Sequence, residues 1–487
     1  MRAPISRCLT TVAIAVCVSA LGLAVACSGG GDSASSGDAQ EAGDRIKIAA
    51  NNSRYFEWSG EIVYLLGATE SGADSCGDQN GWMPISSGFD WQPDLERLLD
   101  NGGNYARVIP YFSGHPVMPW VEVEDGQFDL EQINPDWVAR LRAYLEWTLA
   151  NRIVVQLEIF ENFSFKDATW LANPLHPDKN INYGTDAIAA ESRREDIAIY
   201  RAVTEENESV LRLLRNYVST LVLETAPYGN VIYSISNESN ASLEWAEYWA
   251  NYVNRLGSSR GYDLLVGEMP HAAEPTTGVE AIVDSEEFDF VDASSYTSED
   301  QYGEDDVVAI LAGTDEVIPQ LATFGKPVTV GKIYYRSTAT LWSKFINGSA
   351  SARFHRNCNR GGTDEDNPER YFDYVRYLRS FIDELDLTNA KVTDDDLVSG
   401  ALDGVQVDVL AAPGEWYAAH LYKTDVGAEP SDLAIELPEG EFSARWFDPG
   451  SGTWTPADMT EPTDDSRSLT IPDFETSIAL LVERLEP

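Results

Sequence analysis

The sequence predicts an α/β fold, a (β/α)8 TIM barrel, followed by a small all-β domain of antiparallel, sandwich-like character. Three observations carry the prediction. Short apolar runs alternate with amphipathic helical stretches over most of the chain, as repeated βα units around a parallel sheet require. The runs number eight, the count that closes such a sheet. Beyond about residue 390 the texture changes to period-two alternation punctuated by Gly, Pro and Asp, which marks antiparallel strands.

Taken in order, the strand candidates are IVYLLGATE (Ile62 to Glu70), YARVIPYF (Tyr105 to Phe112), IVVQLEIFE (Ile153 to Glu161), VIYSISNE (Val231 to Glu238) and LLVGEM (Leu264 to Met269). FDFVDASSY (Phe288 to Tyr296), PVTVGKIYY (Pro327 to Tyr335) and a weaker SARFHR (Ser351 to Arg356) complete the set. Helical patterns lie between them. In Asp136 to Ala150 the residues Trp137, Leu141, Tyr144, Leu145 and Leu149 share one face, and Glu205 to Leu223 and Tyr371 to Leu385 read the same way. The tail offers VQVDVLAA, EWYAAHLYK, LAIELP, FSARWFDPGSGTW, SLTIP and SIALLVERL as strands, with DPGSG (Asp448 to Gly452) as a hairpin turn. Trp446, Phe447 and Trp454 around that turn read as core and hairpin packing, with a sugar platform as the alternative. The expected boundaries are 45–390 for the barrel and 398–487 for the β-domain.

The start of the chain reads as a targeting segment. Met1, Arg2 and Arg7 precede an apolar stretch from Leu9 to Ala26, and Cys27 follows. LAVAC (Leu23 to Cys27) is similar to a bacterial lipoprotein signal, with Ala24 where a larger aliphatic is usual. Residues 1–27 are therefore read as signal and lipidation site, the alternatives being an ordinary cleaved signal peptide or a single anchor helix. Residues 28–44, SGGGDSASSGDAQEAGD, form a tether that cannot bury a core. The expected location is exported and lipid-anchored to a bacterial cell envelope, with Ser28 after Cys27 favouring the outer membrane or cell surface.

The chain carries 80 acidic and 34 basic residues, a net charge of −46, which argues against nucleic acid or an anionic membrane surface as partner. Contact with a membrane is expected only through the lipid, and the folded body is expected to be monomeric. With Cys8, Cys17 and Cys27 assigned to the leader, Cys76 and Cys358 remain. They follow strands one and eight, neighbours at barrel closure, and export makes a disulfide between them the expectation. No HExxH, CxxC or nucleotide-binding glycine loop occurs and histidines number five, so neither metal nor cofactor is expected.

In such barrels the chemistry sits at the C-terminal ends of the strands. Strand four ends in Asn237 and Glu238, strand three in Glu161, strand five in Glu268, and KPVTVGK brings Lys332 to the end of strand seven. NNSRYFEWSGEIVYLLGATE, GGNYARVIPY, the Asn237-Glu238 pair, KPVTVGK and TLWSKFINGSASARFHR together resemble the clan A glycoside hydrolases, and more closely the apiosidase-type family of bacterial pectin-degrading enzymes. The tail with ARWFDPGSGTW is similar to the β-domain, labelled collagen-binding, that accompanies those barrels.

The resemblance implies an oligo- or polysaccharide substrate, with Glu238 as general acid/base and Asn237 bonded to the sugar's 2-hydroxyl. It makes Arg107 and Tyr296 the groups that serve the nucleophile, whose own position is Lys332. A lysine there departs from the pattern, because glycoside hydrolysis needs two carboxyl groups across the scissile bond, about 5–5.5 Å apart for retention or 6.5–9.5 Å for inversion. An ammonium beside Glu238 lowers the pKa that a general acid needs raised. Glu161 or Glu268 could then supply the displaced second carboxylate, the alternative for each being to support neighbouring site residues. The long connection Asn162 to Asp186 carries Trp170, Asn182 and Tyr183, rings and amides suited either to gripping sugars or to a structured lid. His115 after strand two and His355 in strand eight complete the substrate-binding candidates. Two functions follow as expectations, a surface-anchored glycoside hydrolase and a catalytically disabled barrel that binds carbohydrate.

Overall fold

The computed structural model describes residues 44–69, 83–124, 126–272, 278–298, 306–334, 337–355, 370–393, 397–400, 402–425, 427–460 and 466–485. Cys27, Cys76 and Cys358 lie outside the described residues, as do Glu70 and the targeting segment.

Eight parallel strands form the barrel: β1 (Leu65–Ala68), β2 (Tyr105–Val108), β3 (Val154–Glu161), β4 (Val231–Asn237), β5 (Val266–Glu268), β6 (Phe290–Asp292), β7 (Val328–Thr329) and β8 (Ser351–Phe354). From β2 to β7 they hydrogen-bond in sequence order, and β8 pairs with β1 from Ser351↔Leu65 to Phe354↔Ala68. Asn104 joins β2 to β1, its N–H bonding the Leu66 carbonyl while its side-chain oxygen accepts from the Leu66 N–H. The isolated bridge Ile333↔Phe354 joins β7 to β8. Each strand is followed by a helix on the outside: α1 (Gln92–Asp100), α2 (Pro135–Ala150), α3 (Glu208–Thr225), α4 (Leu243–Ser259), α5 (Val279–Asp284), α6 (Val307–Ala322), α7 (Thr338–Ile346) and α8 (Arg370–Ile382).

The local causes are readable. Asn134 caps α2 by accepting from the Asp136 N–H, with Pro135 at the first helical position; Asn207, Ser242 and Ser337 cap α3, α4 and α7. On α2 the predicted face is buried through Trp137, Leu141, Tyr144 and Leu145. Strands β3 and β4 are buried along their whole length, as strands covered on both faces must be.

Most strands are shorter than their apolar runs, and at two of them the local cause is plain. Ile62 and Val63 pair with Phe56–Trp58 in a hairpin at the base of the barrel, because Ser59 and Gly60 both take positive φ, 56° and 87°, and turn the chain back. At β7 the ladder stops at Thr329. A Cβ on Gly331 would stand 2.8 Å from Asp292 Oδ2 and 3.3 Å from Arg107 Cδ, so the chain leaves the sheet where glycine lets it sink against the barrel interior.

The tail folds as predicted into antiparallel strands. One sheet runs Lys391–Val392, Val405–Ala412, Trp416–Lys423, Ser477–Arg484, Phe442–Asp448, Thr453–Pro456, and the other Val398–Gly400, Asp432–Glu436, Ser466–Thr470. Alternation divides the first sheet between two cores. Val409 and Ala411 face Leu433, Ile435 and Leu469 of the second sheet, whereas Leu410 and Ala412 join the barrel core with Trp416, Phe447 and Leu481. Trp446 and Phe447 are buried and Trp454 stacks on Phe381 of α8 at 5.3 Å, so this aromatic group is packing. Barrel and tail share one compact unit, Gln40–Pro487.

Candidate active site

The ends of β2, β3, β4 and β7 bring Arg107, Glu158, Glu161, Asn237, Glu238 and Lys332 into one buried hydrogen-bonded cluster. At its centre Lys332 Nζ donates to Glu238 Oε1 and to Asn237 Oδ1, each at 2.5 Å. Both partners are buried, Lys332 at 2% and Glu238 at 4% exposure. Asn237 Nδ2 donates to Glu161 Oε2 at 2.6 Å, so one amide links the ion pair to the neighbouring acid. Arg107 makes a bidentate pair with Glu158 and also reaches Asn237 Oδ1 at 2.6 Å. Tyr334, two residues past Lys332, directs its hydroxyl at Glu238 Oε1 from 3.4 Å.

Glu238 is itself constrained. Its φ is +45°, a left-handed conformation that costs a side-chain-bearing residue on the order of 1 kcal/mol. Asn162 Nδ2 holds the strained turn by donating to the Glu238 carbonyl at 2.7 Å, and Tyr200 in turn donates to Asn162 Oδ1 at 2.9 Å.

The electrostatics of the acids differ by environment. Burial pushes the Glu238 carboxyl up, but the Lys332 ammonium outweighs it through charge and hydrogen bond, and the pKa settles at about 2. Glu161 is pushed up to about 7 by burial, which its bond from the Phe163 N–H only partly offsets. Burial takes Glu268 to about 8, although it accepts from the Ser236 N–H at 2.7 Å. Lys332 is penalised by burial in turn, so its pKa falls below the usual lysine value.

The structure spends several predicted sugar contacts elsewhere. Trp170, Asn182 and Tyr183, read as gripping a sugar or as part of a structured lid, make hydrogen bonds within and beside their loop. Trp170 is buried and donates to the Ala190 carbonyl; Asn182 bonds Asp129 and the Leu130 N–H; the Tyr183 hydroxyl donates to the Leu175 carbonyl. A loop this long satisfies its buried polar groups first. Tyr296 turns its hydroxyl to the Val279 N–H at 3.3 Å, at the start of α5, and stands outside the Lys332 cluster. His115 contacts Ser86 Oγ at 3.0 Å. His355 packs edge-on against Tyr334 at 4.9 Å and so borders the cluster.

Sequence reasoning missed Tyr334 and Asn162. Their one signal was proximity in the chain, Tyr334 two residues past Lys332 and Asn162 next to Glu161. Among the described residues no group of three His, Cys, Asp or Glu side chains is placed to hold a metal ion.

No family model and no curated protein matches this chain. Among solved structures it is similar to a glycoside hydrolase family 5 from Bacteroides vulgatus, at 12% identity over 90% of this chain and 93% of that one, with a TM-score of 0.58. A second structure, described as a glycoside hydrolase, is similar at 11% identity over 91% of this chain and 97% of that one, with a TM-score of 0.58. At such identities the likeness is one of fold, and it places this chain's architecture, barrel and tail together, with that of glycoside hydrolases.

Proposed function

We propose that the protein is a glycoside hydrolase-type barrel that recognises a glycan at the C-terminal ends of its strands and has lost hydrolysis by a carboxylate pair. The observation that carries this reading is the buried Lys332–Glu238 ion pair. A general acid must hold a proton near neutral pH, and a carboxyl at about 2 does not. The nucleophile position holds an ammonium, which has no lone pair to attack an anomeric carbon. The same lysine occupies Asn237 Oδ1, leaving that amide engaged on both sides.

A second reading is favoured by one observation. Glu161 at about 7 has the pKa of a proton donor and lies one amide away from Glu238, which supports a hydrolase of altered mechanism. The resemblance of the sequence to apiosidase-type enzymes supports plant or algal side chains as the glycan in either case, and the leader supports a lipid anchor at Cys27.

The deciding experiment is reducing-sugar release from pectic and algal glycans by the full chain, Lys332→Glu and Glu161→Gln, beside binding of the same glycans. Binding without release by the full chain supports the first reading, and release restored by Lys332→Glu would strengthen it. Release by the full chain that Glu161→Gln abolishes would replace it with the second.

A further inference from the structure

We propose that the barrel mouth holds a cationic subsite, formed by Lys166 and by Arg194 on its acceptor His271 beside Glu238, that receives the anionic group of a charged sugar, a carboxylate or a sulfate ester. The inference rests on the glycan-binding reading above and adds the substrate class to it.

Lys166 is the starting point. It follows the short 3-10 turn Asn162–Phe165 after β3 and is 5% exposed, yet its Nζ has no hydrogen-bond partner. A buried ammonium is retained at a cost unless something anionic meets it. The neighbouring cations are provided for, Arg107 by Glu158 and Lys332 by Glu238. What Lys166 touches is the Phe163 ring, with Nζ 4.0 Å from the centroid, and that ring is 37% exposed. A flat ring open to solvent beside a cation presents an apolar surface to a sugar ring and a charge to its substituent.

Two further basic groups converge on the spot. His271 donates its backbone N–H to the Ser239 carbonyl at 3.0 Å, which fixes it next to Glu238. Arg194, exposed at the rim, brings Nη2 within 3.5 Å of His271 Nε2. Burial lowers the Lys166 pKa and Arg194 lowers it further, while Glu161, Glu238 and Asp167 raise it, so Lys166, Arg194 and the two strand-end acids share one electrostatic neighbourhood. The acids do not cancel it: Glu238 is committed to Lys332, and Glu161 is half protonated at pH about 7. Although the chain as a whole carries −46, an anion within about 8 Å of these groups at physiological ionic strength responds to the local field, because the remote charge is screened.

The test is a calorimetric titration of the full chain with four probes: an oligogalacturonide, its carboxyl-reduced neutral form, a sulfated galactan oligosaccharide and its desulfated form. We expect one charged probe to bind roughly tenfold or more tighter than its neutral counterpart, and which of the two does so identifies the carboxylate or the sulfate as the group received. Lys166→Met should remove that preference, and Lys166→Arg should restore most of it. Arg194→Gln should weaken charged-probe binding roughly threefold and flatten its salt dependence. Equal affinity for charged and neutral forms overturns the subsite and leaves glycan binding standing. No binding of any probe overturns both.

Discussion

Replacing Lys332 by methionine keeps the apolar stem and removes the charge that holds Glu238 ionised. A carboxyl carried from an ordinary 4.5 to about 2 reflects about 3 kcal/mol of preference for the charged form. Removing one member of a buried ion pair costs about 3–5 kcal/mol by an independent route, since the other charge is left without a partner. The burial penalty on the ammonium works against the pair and disappears with it, so the lower end, about 3 kcal/mol, is the expected loss at pH 7. The sign follows from linkage. Glu238 binds its proton less readily folded than unfolded, so its contribution is present above pH about 4.5 and lost as pH falls toward about 2. In Lys332→Met that contribution is absent and Glu238 must take up a proton on folding. Urea denaturation followed by circular dichroism should therefore show the two proteins far apart at pH 7 and converging by pH 3. A Lys332→Met protein as stable as the parent at pH 7, with the same pH dependence, would refute the claim that this pair governs the site.

Three further perturbations test separate parts of the argument. Glu161 binds its proton more tightly folded than unfolded, so the parent should lose stability from pH 5 to pH 8 as the carboxyl is forced to ionise, and Glu161→Gln should flatten that slope in denaturant titrations at the two pH values. Gly331→Ala places a methyl 2.8 Å from Asp292 Oδ2 and should cost about 1–3 kcal/mol by thermal denaturation; an unchanged melting temperature would mean that the chain is not seated against the barrel interior there. His420, buried under Trp342 at 5.8 Å, is lowered by burial to about 3 and is neutral when folded, so it takes up a proton only on unfolding and stability falls as pH drops below about 6.5. His420→Phe should remove about 3 kcal/mol of that acid sensitivity by pH 4, read from the difference between the two stability curves.

Much of the architecture was legible because it depends on periodicity. Strands β3 and β4 are unbroken apolar runs that only a doubly covered strand tolerates, and the tail's alternation separates Val409 from Leu410 into different cores. The limits of β1 and β7 were not legible, since they depend on what surrounds Ser59-Gly60 and Gly331 rather than on the apolar run itself. The site divided in the same way. Lys332 stands out because KPVTVGK fixes it at a strand end, and strand ends define the mouth. Whether Trp170 or Tyr183 faces a ligand or its own loop is a matter of side-chain direction, about which composition says nothing.

The charges at the barrel top can then be weighed together. Arg107 is matched by Glu158 and Lys332 by Glu238, while Gln156 donates to Asp292 at 2.8 Å. Glu268 is kept largely protonated at neutral pH by burial, and Glu161 partly so. A hydrolytic pair works because one carboxylate stays ionised and unmatched by any cation, so that it can attack or stabilise the oxocarbenium ion, and its partner keeps a proton to give. Here the acid at the proton donor's position is held ionised by Lys332, which inverts that division at Glu238. Among the described residues Lys166, one short turn beyond Glu161, is a positive charge whose Nζ has no hydrogen-bond partner. On the proposed reading, a site balanced in this way holds an anionic sugar rather than cleaving it.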